Sequence, residues 1–150
     1  TILLMFIGAS PASTGGGIKT STFALVIMMI YTVLASKENV EVYQRRIPTD
    51  NIFKAVGIAV ISMLLVFTSS FILTITEQAD FLSILFETTS AFGTVGLSLG
   101  ITSELTEFGK IVIMLTMFAG RVGPLTLAMA LGSRANKALV KFPEERILVG

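Results

Sequence analysis

Residues 81–101 read FLSILFETTSAFGTVGLSLGI, and their reading decides the fold. The first twelve, 81–92, are apolar apart from a few small hydroxyls and one acid, Glu87, and suit a helix. Twelve helical residues rise only ~18 Å, against the ~30 Å of a bilayer's hydrocarbon core. The stretch 93–101 is rich in glycine and suits irregular, extended backbone. A short apolar helix followed by a glycine loop is the pattern of a re-entrant segment, which enters a membrane partway and turns back. Such backbone survives at membrane depth only where protein buries it or a wet cavity borders it.

The flanks fit that reading. Upstream, residues 55–76 form a run of 22 without a charge, ~33 Å as a helix and long enough to cross. Downstream, residues 108–132 form a run of 25 with charges only at Lys110 and Arg121. Residues 23–35 are apolar for only 13 positions and need 19–22 to approach span length, as an interrupted helix would. Charge placement gives sidedness. Between Lys54 and Lys110 there is no Lys or Arg, while Glu77, Asp80, Glu87, Glu104 and Glu107 all lie there. Basic residues gather at Lys37, Arg45, Arg46 and Lys54, and again at Arg134, Lys137, Lys141 and Arg146. Cytoplasmic loops carry the excess of Lys and Arg. Residues 36–54 and 133–150 are therefore expected in the cytoplasm and 77–107 outside.

Composition agrees with contact to membrane lipid. The 150 residues are 53% hydrophobic and 14% charged, with mean hydropathy +0.83. A soluble domain carries about a quarter charged residues. A net charge of +1 offers no basic field for nucleic acid. The lack of Cys and His removes thiol nucleophiles, disulfides, Cys/His metal sites and His-based triads. No enzyme chemistry and no cofactor are expected. The chain opens at Thr1 inside an apolar run, without an initiator Met or a basic leader, and reads as a piece of a longer protein.

The N-terminal segment repeats the plan of 81–101. ILLMFIGASPAS (2–13) is an apolar run, TGGGIKT (14–20) is a glycine loop, and an apolar helix follows. A shift of 81 residues places Ser13 on Thr94, Thr14 on Val95 and Gly15 on Gly96. Internal repeats of this kind are common in transporters. The organisation expected is residues 1–50 as pore helix, loop, helix and cytoplasmic linker, then 51–132 as a complete second unit. Within that unit the elements are a membrane helix at 52–76, a pore helix at 81–92, a loop at 93–101 and a helix at 107–132. Residues 133–150 form a cytoplasmic tail.

Thr94-Val95-Gly96-Leu97-Ser98 is close to the TVGYG filter loop of potassium channels. There, rings of backbone carbonyls replace the hydration shell of the ion, and glycine permits the backbone angles this needs. The tripeptide alone would equally fit an ordinary turn. The short helix before it, the span after it and the second glycine loop favour a filter. The candidate ion-binding residues are Ser13, Thr14, Gly15 and Gly16 in one loop and Thr94, Val95, Gly96 and Leu97 in the other, with potassium held at Gly15 and Gly96.

GASPASTGGGIKTSTFA (8–24), FETTSAFGTVGLSLGIT (86–102) and GRVGPLTLA (120–128) together resemble the Trk/Ktr/HKT superfamily of potassium transporters, most closely the Ktr membrane subunit, KtrB. The resemblance covers essentially the whole chain. It implies an all-α integral membrane fold of M1–pore helix–M2 repeats, four to a pore, of which about one and a half are present. These are the third pore loop and third M2, then the fourth repeat. Gly15 and Gly96 match the filter glycines of those repeats, and a preceding half of the protein would supply the other two loops. It further implies potassium uptake across the cell membrane, with sodium as a candidate activator. It implies a homodimer with residues 142–150 in its contact, and a cytoplasmic nucleotide-binding ring subunit of RCK type (KtrA-like) against 36–54.

The same resemblance places a gating loop in the third M2, near 31–42, with Ala35, Ser36 and Lys37 as its polar break. A plain helix end running into the linker fits those residues equally. An arginine in mid-span costs at least ~2.5 kcal/mol to insert. Arg121 matches a family arginine below the filter, implying a barrier to cations in the closed pore; helix-end carbonyls could also satisfy it. Gly120, Gly123 and Pro124 flank it and suit a kink. Glu87 either concentrates cations or braces the filter backbone, and the brace is preferred. Lys19 is expected to point away from the ion path, with Glu87 as a candidate partner.

Three rival readings remain, one of which, a structural membrane segment with no transport role, leaves Arg121 and both glycine loops unexplained. TGGGIKTST (14–22) resembles a phosphate loop, but Ile18 separates Gly17 from Lys19 and the first glycine of the spacing falls on Ala12. A secondary transporter with a midplane site on broken helices is the stronger alternative.

Overall fold

The computed structural model describes residues 1–36, 40–42, 45–123 and 126. Five α-helices account for most of them: α1 (Ile2–Ile7), α2 (Thr20–Leu34), α3 (Thr49–Thr76), α4 (Phe81–Gly93) and α5 (Glu107–Val122). A 3-10 turn at Ile101–Ser103 precedes α5. The architecture is helical, with one departure from an all-α chain. Strands β1 (Glu41–Val42) and β2 (Arg45–Arg46) pair antiparallel between α2 and α3. Glu41 faces Arg46 across the ribbon, and facing opposite charges favour such a pairing. Ile47 N extends it by donating to Val40 O at 3.0 Å.

Among the described residues α3 is the one helix long and apolar enough to cross a membrane, with 28 residues and hydropathy 2.4 in its most apolar stretch. Only 28% of that stretch is buried. Val60, Met63, Leu64, Phe67, Phe71 and Ile75 face outward. On α5, Phe108, Ile111, Met114, Leu115 and Phe118 do the same. Apolar faces this large are not left to water in soluble proteins. At 15 residues α2 reaches ~22 Å. The description of α5 stops at Val122, so most of the expected 107–132 helix beyond it, and the tail 133–150, lie outside the described residues.

α4 sits at the centre and packs on α1, α3 and α5. Its last seven residues, Glu87 to Gly93, are all buried. Leu73, Ile84, Ala91, Leu105, Val112 and Ile113 form one core between α3, α4 and α5. Ile18, Val66 and Phe92 form a second. Phe6 and Phe92 stack with ring centroids 5.7 Å apart and tie α1 to α4. A polar seam runs through the apolar core. Ser69 Oγ lies 2.8 Å from Thr116 Oγ1, and Ser70 Oγ lies 2.7 Å from Thr88 Oγ1. Both threonines already donate within their own helices, to Val112 O and Ile84 O, so the serines donate to the threonines. Buried hydroxyls require such partners.

Gly120 has a packing role in α5. The helix is continuous through it, and a Cβ there would lie 1.9 Å from Phe92 O. The missing side chain lets α5 touch the backbone at the end of α4. Gly123, at φ 93, ends the helix, and Pro124 lies outside the described residues.

Candidate functional site: two glycine loops

α4 is capped at its start by Asp80, whose Oδ2 accepts Leu82 N at 3.0 Å. At its end the cap is Thr94, which is left-handed (φ 51, ψ 40). The loop that follows is anchored through its amides. Thr94 N donates to Ala91 O and Val95 N to Ser90 O, at 3.1 and 3.0 Å. Leu97 N donates to Ser90 Oγ at 3.0 Å. The carbonyls of Thr94, Val95, Gly96 and Leu97 accept no hydrogen bond from the described residues. Gly96 sits at φ +79, and a Cβ there would meet nothing within 4 Å. A loop anchored through three of its amides, with its carbonyls free, is an arrangement that lets backbone oxygens coordinate a cation.

The first loop is built differently. After α1 the chain runs out from Gly8 and returns along the end of that helix. Ile18 N donates to Phe6 O, Lys19 N to Ile7 O and Thr20 N to Ala9 O, at 3.2, 2.9 and 3.2 Å. A Cβ on Gly8 would lie 2.2 Å from Gly16 O and 2.8 Å from Gly17 Cα, so these glycines permit backbone contact. Gly16 O accepts Ala9 N at 3.3 Å. The carbonyls of Ser13, Thr14 and Gly15 accept from cationic side chains. Lys19 Nζ donates to Ser13 O at 3.4 Å and to Gly15 O. Arg121 Nη1 donates to Thr14 O.

The two loops meet. Gly16 N donates to Thr94 Oγ1 at 2.9 Å. A Cβ on Gly16 would be 2.8 Å from Phe92 O. A cleft of about 460 Å³ opens beside them, lined by Leu4, Met5, Gly15, Thr94, Val95 and Leu97 among others. The 81-residue shift nevertheless pairs unlike backbones. Gly96 is left-handed in open space, whereas Gly15 is not left-handed and its Cβ would be 2.6 Å from Ala9 Cβ. Within the 9–16 turn the left-handed residue is Ala12, at φ 65. The difference follows from the fold-back of the first loop onto α1.

The expected gating residues are not gathered. α2 runs unbroken from Thr20 to Leu34, and Ala35 and Ser36 follow its end, Ser36 at φ 50. Lys37 lies outside the described residues. Ala35 is therefore ~22 Å along α2 from the loops, and Arg121 meets Thr14 instead. Two expectations about Lys19 need correction. Lys19 does not turn away from the loop but folds back onto it, where the carbonyl oxygens of Ser13 and Gly15 accept from its ammonium. Nor does it pair with Glu87, whose Oε1 accepts Thr102 Oγ1 at 2.6 Å.

Sequence reasoning missed Ser90, Ser98 and Thr102, which hold the second loop, and Glu77. Glu77 ties the end of α3 to the start of α5: Oε2 accepts Thr106 N at 3.0 Å, Oε1 accepts Thr106 Oγ1 at 2.5 Å, and Thr106 Oγ1 caps α5 at Gly109 N. The available signal was hydroxyls placed where an apolar helix or loop has no other use for them.

The TrkH family, described as cation transport protein, matches residues 1–137. Ktr system potassium uptake protein D of Bacillus subtilis (strain 168) is 46% identical over 147 residues, covering 98% of this chain and 33% of that protein. Ktr system potassium uptake protein B of Vibrio alginolyticus is 46% identical over 149 residues, covering 99% and 32%. Potassium/sodium uptake protein NtpJ of Enterococcus hirae is 36% identical over 156 residues, covering 100% and 35%. The chain thus spans about a third of the length of these relatives. The match takes in both glycine loops and all five helices, and the chain belongs to the TrkH family of cation transport proteins.

Proposed function

We propose that this chain supplies part of a membrane pore through which potassium ions enter the cell, as a portion of the membrane subunit of a Ktr-like system. The observation that carries the proposal is the loop 94–97, anchored to α4 through the amides of Thr94, Val95 and Leu97 while its carbonyls stay free beside a left-handed Gly96. In the first loop, carbonyls of Ser13, Thr14 and Gly15 that solvate an ammonium and a guanidinium are suited to solvate potassium. Two loops cannot encircle an ion, and the relatives' further length is room for the other two.

The finer parts of the reading follow the family. α3 is the fourth M1, α4 the fourth pore helix and α5 the start of the fourth M2. Residues 36–54 and 133–150 face the cytoplasm and 77–107 the outside, a topology that the charge distribution supports. Arg121 and the segment 35–37 gate the pore, sodium acts as an activator, the subunit forms a homodimer, and an RCK-type ring subunit docks on the cytoplasmic side.

The test is potassium uptake by the protein carrying this chain, expressed in a bacterium without its own potassium transporters. The reading expects growth at low potassium with the wild type and background uptake with Gly96→Asp, at equal amounts in the membrane. Uptake unaffected by Gly96→Asp would overturn it in favour of a secondary transporter with a midplane site.

A further inference from the structure

Glu87 is 6% exposed, the most deeply buried charged side chain among the described residues. Thr102 Oγ1 donates to its Oε1 at 2.6 Å. Ser98 Oγ lies 2.7 Å from Thr102 Oγ1, and Gly100 N donates to Ser98 Oγ at 3.0 Å. A hydroxyl has one hydrogen to give. That of Thr102 is committed to Glu87, so Ser98 donates to Thr102. The hydrogen bonds therefore run one way, from Gly100 N–H to Ser98, from Ser98 to Thr102, and from Thr102 to Glu87. Such a relay needs an acceptor at its end, and Glu87 supplies it.

Ser90 stands three residues beyond Glu87, on the same face of α4. It holds the near arm of the loop through Val95 N and Leu97 N. Glu87 holds the far arm through Thr102 and Ser98. Gly96 hangs between these two attachments with open space beside it. The first loop has no such relay among the described residues and is held by Lys19 and by contact with α1.

We propose that Glu87 is a positioning residue for ion selection, which sets the shape of the 94–98 loop as a hydrogen-bond acceptor and not through its charge. The proposal rests on the pore reading. A carboxylate placed to concentrate cations would face solvent. This one is buried, and its Oε2 has no hydrogen-bond partner among the described residues, an arrangement costly to keep unless Oε1 has work that requires it.

The experiment compares Glu87→Gln, Glu87→Leu, Thr102→Val and Ser98→Ala in the protein carrying this chain, with the apparent KM for potassium and for sodium transport as readout. The ratio of the two is insensitive to how much protein reaches the membrane. Glu87→Leu removes the acceptor, whereas the amide oxygen introduced by Glu87→Gln preserves it without charge. The expected result is a potassium preference lowered on the order of fivefold, the factor for one lost hydrogen bond, in Glu87→Leu, Thr102→Val and Ser98→Ala. Glu87→Gln is expected to keep the wild-type ratio. If Glu87→Leu does not reach the membrane, the two milder hydroxyl variants decide. A loss in Glu87→Gln as large as in Glu87→Leu would assign the role to charge and overturn the proposal, as would a wild-type ratio in Thr102→Val and Ser98→Ala. Gly96→Asp runs alongside. If it abolishes uptake while the relay variants keep the wild-type ratio, only the Glu87 assignment fails. If it transports normally, the pore reading fails and takes this assignment with it.

Discussion

Gly120→Ala adds one methyl group where α5 crosses the end of α4, and the structure gives its consequence. The new Cβ would lie 1.9 Å from Phe92 O, 2.7 Å from Phe92 C and 3.0 Å from Phe92 Cα. Ordinary contact begins at 3.4 Å, so the two backbones must part by about 1.5 Å. No flexible side chain is there to give way. Overpacking of this kind costs ~1–3 kcal/mol and occasionally more, while alanine's helix preference over glycine offsets ~1 kcal/mol. A net loss of up to ~2 kcal/mol is expected. The displaced atoms belong to the residue two before Thr94, so the loop shifts with them. Gly57→Ala in α3 is the control, because a Cβ there meets nothing within 4 Å; it is expected to stabilise by up to ~1 kcal/mol. The assay is thermal unfolding of the purified protein in detergent, with potassium uptake measured on the same variants. Gly120→Ala should lower both midpoint and uptake, and Gly57→Ala neither. Wild-type values for Gly120→Ala would mean that α5 does not lie against Phe92, and the account of the site would fail with it.

Ala12 holds a left-handed conformation at φ 65, which costs an L-residue ~1–2 kcal/mol. Ala12→Gly should raise the unfolding midpoint, corresponding to up to ~1 kcal/mol after glycine's larger unfolded-state entropy is subtracted; a lower midpoint would refute the strain. Arg121→Gln removes a guanidinium from Thr14 O and should change the apparent KM for potassium, since that carbonyl becomes free for the ion. Unchanged potassium and sodium dependence of uptake would show that Arg121 acts on neither.

Much of the helical plan is legible in the chain because its signals are local. A run of 22 residues without a charge declares a long apolar helix, although the helix begins at Thr49, earlier than the charge pattern marks, since Asp50 and Lys54 sit on its exposed first turns. Glycine content marks both loops, and the Thr-Val-Gly tripeptide singles out 94–96. What the sequence cannot carry is which groups a loop finds when it folds. Charge repulsion predicts that Lys19 turns away, yet its place is decided by carbonyls that only the fold-back onto α1 exposes. Gly15 and Gly96 look alike as letters in a repeat; the tertiary structure gives one a packed Cα and the other open space.

By itself the sequence determined that this chain is helical and apolar, and that its family transports cations, because hydropathy, charge and motif act over a few residues at a time. The tertiary structure alone decided that Gly16 meets Thr94 across the chain, that Gly120 rests on Phe92, and that Glu87 ends a hydrogen-bond relay from the second loop. Those contacts join residues up to 78 positions apart, and their geometry is set by how helices pack rather than by any neighbouring residue.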